Sequence, residues 1–162
     1  MGGLLVELRK TSTLQPYPRN PRKISDKAVA KVAASIREYG FRQPIVVDKE
    51  GVIIVGHARH LAALSLGIVD VPVHVADLSA DKAAAYRLAD NRTNEESGWD
   101  FAALGLELGA LKDLGLDLGP LGFDEAELAR FGLAGTACAG RSRTTPRQAT
   151  RFMSHSQAPA PP

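Results

Sequence analysis

Val52-Ile53-Ile54-Val55 runs straight into Gly56, and from His57 to Leu66 small and apolar residues recur at helical spacing until Gly67. A further β-branched run, Val71 to Val75, follows. Strand, glycine, helix and strand in that order commit the chain to an α/β layout with a sharp turn at Gly56. A glycine between a buried strand and a helix lets backbone amides and the positive helix end approach an anion. Arg59, in the first helical turn, adds a planar fork of donors suited to phosphate. The same order also serves as a plain structural turn in proteins that bind nothing there, so this stretch alone leaves both readings open.

The flanking segments extend the pattern. Leu4-Leu5-Val6-Glu7-Leu8 reads as a strand, and Pro16, Pro18 and Pro21 hold the following connector extended. Ser25 is the expected N-cap of a helix over 26–39, with Val29, Val32, Ala33 and Ile36 facing inward and Gly40 as the stop. Pro44-Ile45-Val46-Val47 pairs with Val52-Ile53-Ile54-Val55 through Asp48-Lys49-Glu50-Gly51, a hairpin signal. In the helix after Gly56, Leu61, Ala62, Leu64 and Ser65 lie at helical spacing before Gly67. Ser79 is expected to cap a helix over 80–89, with Asp90-Asn91-Arg92 as its exit.

From Trp99 the pattern turns helical, with Phe101, Leu104, Leu108 and Leu111 in one piece and Asp124 to Phe131 in another. Too few residues remain there for an independent core, which predicts a helical appendage over 99–134 after a main domain over 4–98. From Gly135 to 162, Ser, Thr, Pro, Ala, Gln and Arg dominate, the composition of a disordered tail.

Composition narrows the class. The 162 residues are 44% hydrophobic and 23% charged but only 6% aromatic, as in an aliphatic α/β domain. No apolar run approaches the roughly 18 to 20 residues of a membrane span, and the first residues lack a secretory layout, so no membrane partner and a cytoplasmic location are expected. The single cysteine, Cys138, rules out an internal disulfide framework. The net charge of +2 is unevenly spread: residues 9–59 carry 11 basic and 4 acidic side chains, residues 60–127 carry 4 and 13, and no acid follows Glu127. One positive face could therefore attract a phosphate-bearing ligand or DNA.

Three stretches, read together, carry more. Asn20-Pro21-Arg22, then Ser35 to Val47 with Gln43-Pro44 before the hairpin, then Gly56-His57-Ala58-Arg59-His60-Leu61-Ala62-Ala63, resemble in order and spacing the N-terminal domain of the ParB/sulfiredoxin superfamily. Leu88-Ala89-Asp90-Asn91-Arg92 followed by Gly98-Trp99-Asp100 resembles the ParB-like domain at the front of bacterial and phage DNA modification methyltransferases. The resemblance spans about residues 5–131 and implies an α/β (α+β) fold, a small mixed sheet with packed helices. It also implies a nucleotide, CTP or ATP, accompanied in some members by Mg, with Gly56 and Arg59 at the phosphates, Gln43 and Pro44 in the preceding segment, and Asn91 and Arg92 in an Asn-containing nucleotide motif. Arg22, His57 and His60 complete the candidate nucleotide site. His57 stands where the family motif has glutamate, Ala58 where it has its first arginine and Leu61 where it has a later one. Sulfiredoxin has its catalytic cysteine at the place of His57, so its repair chemistry is expected to be absent.

Duller roles exist for each residue. Arg22 and Arg59 could pair with surface acids; Asn91 could cap a helix end; Trp99 could pack the appendage on the core. His57 and His60 lie three apart on one helix, but no Cys or close carboxylate completes a ligand set, so no metal site is expected and a solvated or phosphate-facing pair is. The leading function is a nucleotide-binding, DNA-associated module linked to DNA modification or partition, with nucleotide and DNA as partners and a homodimer as a candidate assembly. No Asp-Pro-Pro-Tyr or Asn-Pro-Pro-Tyr stretch occurs, so no methyltransferase catalysis is expected of the chain itself. The alternatives are a ParB-like nuclease or nucleotide-dependent phosphotransferase, and a plain DNA-binding partition protein. Against the last, no helix-turn-helix is evident in residues 100–162.

Overall fold

The computed structural model describes residues 5–135. Strands β1 (Glu7–Lys10), β2 (Ile45–Val47), β3 (Ile53–Val55) and β4 (Asp70–Val75) form one sheet in the order β1-β4-β2-β3. β1 runs antiparallel to β4 and β2 antiparallel to β3, while β2 and β4 are parallel. A parallel neighbour requires a long crossover, and helix α2 (His57–Ser65), between β3 and β4, supplies it. The other helices are α1 (Asp26–Tyr39), α3 (Ala80–Glu95), α4 (Phe101–Asp113) and α5 (Glu125–Ala129). The mixed α/β architecture implied by the sequence is the one the chain adopts.

Local chemistry accounts for the best-defined elements. Ser25 Oγ accepts the Ala28 N–H at 3.2 Å, starting α1, and Gly40, at φ +75°, ends it by donating to the Ile36 carbonyl at 2.9 Å. In the hairpin, Asp48 Oδ1 accepts the Glu50 and Val52 N–H groups at 3.1 and 2.8 Å, closing the turn. Alternation then sorts the strands. Ile45, Val47, Ile53, Val71 and Val73 are fully buried on one face with Leu14 and Ala63 of α2. Ile54, with Val46 and Val55 at its side, packs on the other face against Ala83 of α3. Fully burying each such Val or Ile stabilises the sheet by about 1.5–3 kcal/mol.

Several expectations change. β1 begins at Glu7, and Leu5 and Leu8 are exposed, because β1 is an edge strand with no helix over it; Leu4 lies outside the described residues. The inner face of α2 is His60, Ala62 and Ala63, whereas Leu61 and Leu64 face outward: small residues let the short helix sit close to the strands. α3 does not exit at Asp90-Asn91-Arg92 but continues to Glu95. Its polar side chains bond back onto the helix, Asn91 Nδ2 to the Arg87 carbonyl at 2.9 Å, Thr93 Oγ1 to Ala89 at 2.9 Å and Asn94 Nδ2 to Asp90 at 2.7 Å. Asn91 is therefore not a terminal cap.

The appendage does build its own small core, contrary to expectation: Leu108, Leu118, Leu128 and Leu133 are buried together, flanked by Leu104, Leu111, Phe123 and Phe131. Its glycine-broken leucine runs fold back on themselves, so fewer residues suffice. Trp99 tilts against Phe123 at 5.7 Å and stays 64% exposed, packing on the appendage and not on the sheet core. Asp124 and Glu127 form a capping box that starts α5, and the same two carboxylates reach Lys27 and Lys31 of α1 at 3.0 and 3.5 Å. The expected disordered tail lies, from residue 136 on, outside the described residues, as does Cys138. Among the described residues no helix is long and apolar enough to cross a membrane.

Candidate functional site

Gly56 joins β3 to α2 at φ +102°, a left-handed conformation that side chains disfavour. A Cβ at this position would stand 3.2 Å from Arg59 Nε and Nη2 and 3.4 Å from the Ile45 Cα, so the torsion favours glycine and a side chain would press on the guanidinium. The hairpin brings the entrance of β2 beside this turn. Arg59 consequently folds back across it, donating from Nη1 to Gln43 Oε1 at 2.7 Å and from Nη2 to the Pro44 carbonyl at 3.4 Å. Its Nε is buried and has no hydrogen-bond partner. Burial lowers the pKa of the guanidinium below its ordinary value, with Asp90 partly opposing.

In front of the turn lies a cavity of about 580 Å³, lined by Arg22, Gln43, Gly56, His57, Arg59 and Asn91 among others. Ser25, Ala28 and Val32 of α1 form one wall, and Asp90, Asn91 and Asn94 of α3 another. Arg22 crosses between walls, donating from Nη1 to Asn91 Oδ1 at 2.9 Å. With Lys23, three cationic side chains line the space against the single acid Asp90, so the cavity favours an anion.

Of the residues singled out from sequence, Arg22, Gln43, Gly56, His57, Arg59 and Asn91 line this space, and Pro44 meets it through the bond from Arg59 to its carbonyl. Two do not. His60 is 4% exposed, its Nε2–H donating to the Thr11 carbonyl at 3.1 Å. Arg92 turns away to Glu95 at 3.3 Å and to Glu96 on its own helix. His57 is half-buried, and its Nε2 accepts the Tyr17 N–H at 3.3 Å. Burial first, then Arg87 and His60, push its pKa down to about 4, so at neutral pH the ring is uncharged. Of the expected solvated or phosphate-facing histidine pair, His60 is buried against a backbone carbonyl, whereas His57 accepts a backbone N–H and still lines the cavity.

Sequence reasoning missed Lys23, Asp90, Asn94 and above all Arg87. Arg87 is 4% exposed, donates to the Ile53 carbonyl at 3.4 Å and lies 3.6 Å from the Tyr17 ring centroid. The available signal was the spacing 87, 90, 91, 94, which shares one helix face once α3 is allowed to run to Glu95. Among the described residues no group of three or more His, Cys, Asp or Glu lies close enough to hold a metal ion.

The ParB N-terminal domain family matches residues 5–92, more than half of the chain. The chain belongs to that family. A second match, to the ParB-methyltransferase HTH domain, spans residues 102–151. It overturns the expectation that no helix-turn-helix follows the first domain. Residues 102–135 of that match hold α4, α5 and the long glycine-rich connection that hides the pattern; the remainder lies outside the described residues. The two matches together fit a ParB-like domain of the kind found at the front of methyltransferases.

Curated relatives agree. The chain is 39% identical over 72 residues to the ParB-like nuclease domain-containing protein YnaK of Escherichia coli, covering 44% of this chain and 83% of YnaK. It is 31% identical over 146 residues to the chromosome-partitioning protein Spo0J of Thermus thermophilus, covering 88% of this chain and 48% of Spo0J. The ParB-like chain therefore spans about half the length of that partition protein. Among solved structures, the C-terminally truncated chromosome-partitioning protein ParB of Caulobacter crescentus, complexed with CTP-gamma-S, matches with a TM-score of 0.60 at 22% identity. That match covers 83% of this chain and 73% of the other, and at this identity it is a likeness of fold.

Proposed function

We propose that the chain is a nucleotide-binding, DNA-associated module in which the Gly56 turn and Arg59 hold the phosphates of CTP or ATP and the helix-turn-helix region faces DNA, without methyltransferase catalysis of its own. The observation that carries this reading is Arg59, folded over a left-handed glycine turn and held by Gln43 and Pro44 on the lining of a cationic cavity. An anionic oxygen at the turn would meet the first amides of α2 beside the guanidinium. Arg22 and Lys23 supply further positive charge, and Asp90 is the carboxylate on the lining available to a magnesium ion accompanying the nucleotide. The cavity volume falls in the range of small-molecule sites. The family membership and the CTP-gamma-S complex of the Caulobacter relative support a nucleotide, and the HTH match supports DNA.

Calorimetric titration of the full chain with CTP, ATP and GTP, with and without duplex DNA, tests the reading. One nucleotide should bind, and Arg59→Ala should weaken it by about a hundredfold, as expected for loss of charge-assisted bonds. Absence of binding for all three, or equal binding by Arg59→Ala, would refute it.

A further inference from the structure

His57 and His60 stand one turn apart on α2, and both rings reach the same neighbouring segment. His60 donates its Nε2–H to the Thr11 carbonyl at 3.1 Å, and His57 Nε2 accepts the Tyr17 N–H at 3.3 Å. A backbone N–H can only donate, so the His57 proton sits on Nδ1 and Nε2 presents a lone pair. Between these points, Gln15 joins the sheet margin, donating to the Gly51 carbonyl at 3.0 Å and accepting from Ile53 at 2.8 Å. Beyond Tyr17 the chain turns, with Asn20 donating to the Tyr17 carbonyl at 3.2 Å, and continues through Arg22 into the Ser25 cap of α1. Asn20, Arg22, Lys23, Ile24 and Ser25 of this strap line the large cavity. A second hollow of about 250 Å³ lies on its other side, lined by Pro16, Tyr17, His57, His60 and Leu61, and Asn20, Arg22, Ile24 and His57 border both. The strap is thus a partition between two spaces, and His57 is at its root.

We propose that His57 and His60 are positioning residues, one ring accepting and the other donating, which staple residues 11–17 along α2 and thereby set the strap as the wall of the cavity. Arg22, which donates to Asn91 across that cavity, takes its place from the strap. The step from wall to ligand rests on the nucleotide-binding reading above; the staple itself does not. His57 acts here through its lone pair and not as a cation for phosphate. The charges that bear on it are consistent with that role: Arg87 and His60 both disfavour an imidazolium, Arg22 and Arg59 line the same cavity, and Asp90 is the acid among the lining residues. The depressed pKa, about 4, keeps the acceptor available over the whole neutral range.

The experiment uses the full chain and has two arms. In the nucleotide-free arm, the Tyr17 amide is followed by hydrogen exchange in the wild type, His57→Ala and His57→Gln. Ala should speed exchange at Tyr17 by about three- to tenfold, the range for loss of one hydrogen bond, while Gln, whose Oε1 can accept the same N–H, should restore most of the protection. Unchanged exchange in the Ala variant would overturn the staple. In the second arm, the affinity for CTP and ATP is measured from pH 5.5 to 8 in the wild type and His57→Gln. Parallel profiles are expected, because the triphosphate titrates equally for both. Wild-type affinity that climbs toward pH 5.5 while the Gln variant stays flat would make His57 a phosphate-binding cation and overturn the proposal. If no nucleotide binds the wild type, the proposed function falls while the Tyr17 amide still decides the staple.

Discussion

The sheet core and the appendage core are built from different materials, and the difference separates what holds the site from what rides on it. Around the site, Ile45, Val47, Ile53, Val71 and Val73 lie at zero exposure in strands that pair across long stretches of sequence. The appendage is nearly all leucine, four buried residues from positions 108 to 133, with Leu106 and Leu114 left 77% exposed on the same helical unit. β-branched residues in a sheet fix one register, because a slip by one residue inverts every side chain. Leucines of many rotamers on glycine-broken helices specify less. Geometry such as the Gly56 turn, where 3.2 Å separates a would-be Cβ from a guanidinium, therefore belongs in the first region.

The largest effects should come from testing the two cores separately. Ile53→Ala removes a fully buried side chain from the sheet and should lower global stability by about 2–5 kcal/mol. Leu118→Ala, equally buried, should cost a similar amount locally, yet melt only the appendage. Hydrogen exchange resolved by residue reads this directly: protection lost throughout for Ile53→Ala, and lost only beyond about residue 100 for Leu118→Ala. Equal loss of protection in β2 to β4 from Leu118→Ala would mean one cooperative unit and would break the comparison.

An intermediate effect separates the regions by pH. His57 has a folded pKa of about 4 against an ordinary 6.5, so the folded state favours its neutral form. Its contribution is complete above about pH 6.5, declines as pH falls from 6.5 toward 4, and is gone below that. Discounted for its half exposure, the loss is about 1–2 kcal/mol. Asp124, whose pKa is lowered by the Glu127 backbone and then by Lys27, contributes above the ordinary carboxylate range and loses that contribution only as pH falls through its depressed value. Between pH 6.5 and 4 the sheet region should therefore weaken while the seat of the appendage stays unchanged. Thermal melts of the wild type and His57→Gln should lie close at neutral pH and separate as pH drops through that window, the wild type falling below the variant, and parallel curves would contradict the assignment.

Legibility in the sequence divides along the same line. α1 could be placed because Ser25, the inward apolar positions and Gly40 all say the same thing, and the hairpin because Asp48 and Gly51 close it chemically. The Gly56 turn was legible for the reason that makes it special, since a glycine between a β-branched run and a helix has few other uses. α3 was cut short because Asn91, Arg92, Thr93 and Asn94 look like a helix exit; bonds from their side chains to carbonyls three and four residues back, or to Glu95, are invisible without coordinates. That error also concealed Asp90 and Asn94 on the cavity wall. Arg87 shares the spacing 87, 90, 91, 94, but its burial is recognisable only by what surrounds it, here Tyr17 and a strand carbonyl. In α2 helical spacing does not say which side is buried, and tight packing selects Ala62 and Ala63 over Leu61 and Leu64.

The smallest expected effect concerns the join. Lys27 and Lys31 lie four apart on α1 and hold Asp124 and Glu127, the two members of the α5 capping box. Exposed ion pairs contribute little and are screened by salt, so Lys27→Ala combined with Lys31→Ala should leave the overall melt almost unmoved. What should change is the seating of α5, because these carboxylates serve the cap and the join at once. The double variant frees them for the cap while releasing the appendage from α1. Exchange at the Glu127 and Leu128 amides should then stay protected, while the methyl resonances of Leu121 and the ring resonances of Phe123, which flank the appendage core, shift toward values seen for the wild type in molar salt. Faster exchange at Glu127 would show instead that the lysines support the helix itself, and the two regions would be less separable than their cores suggest.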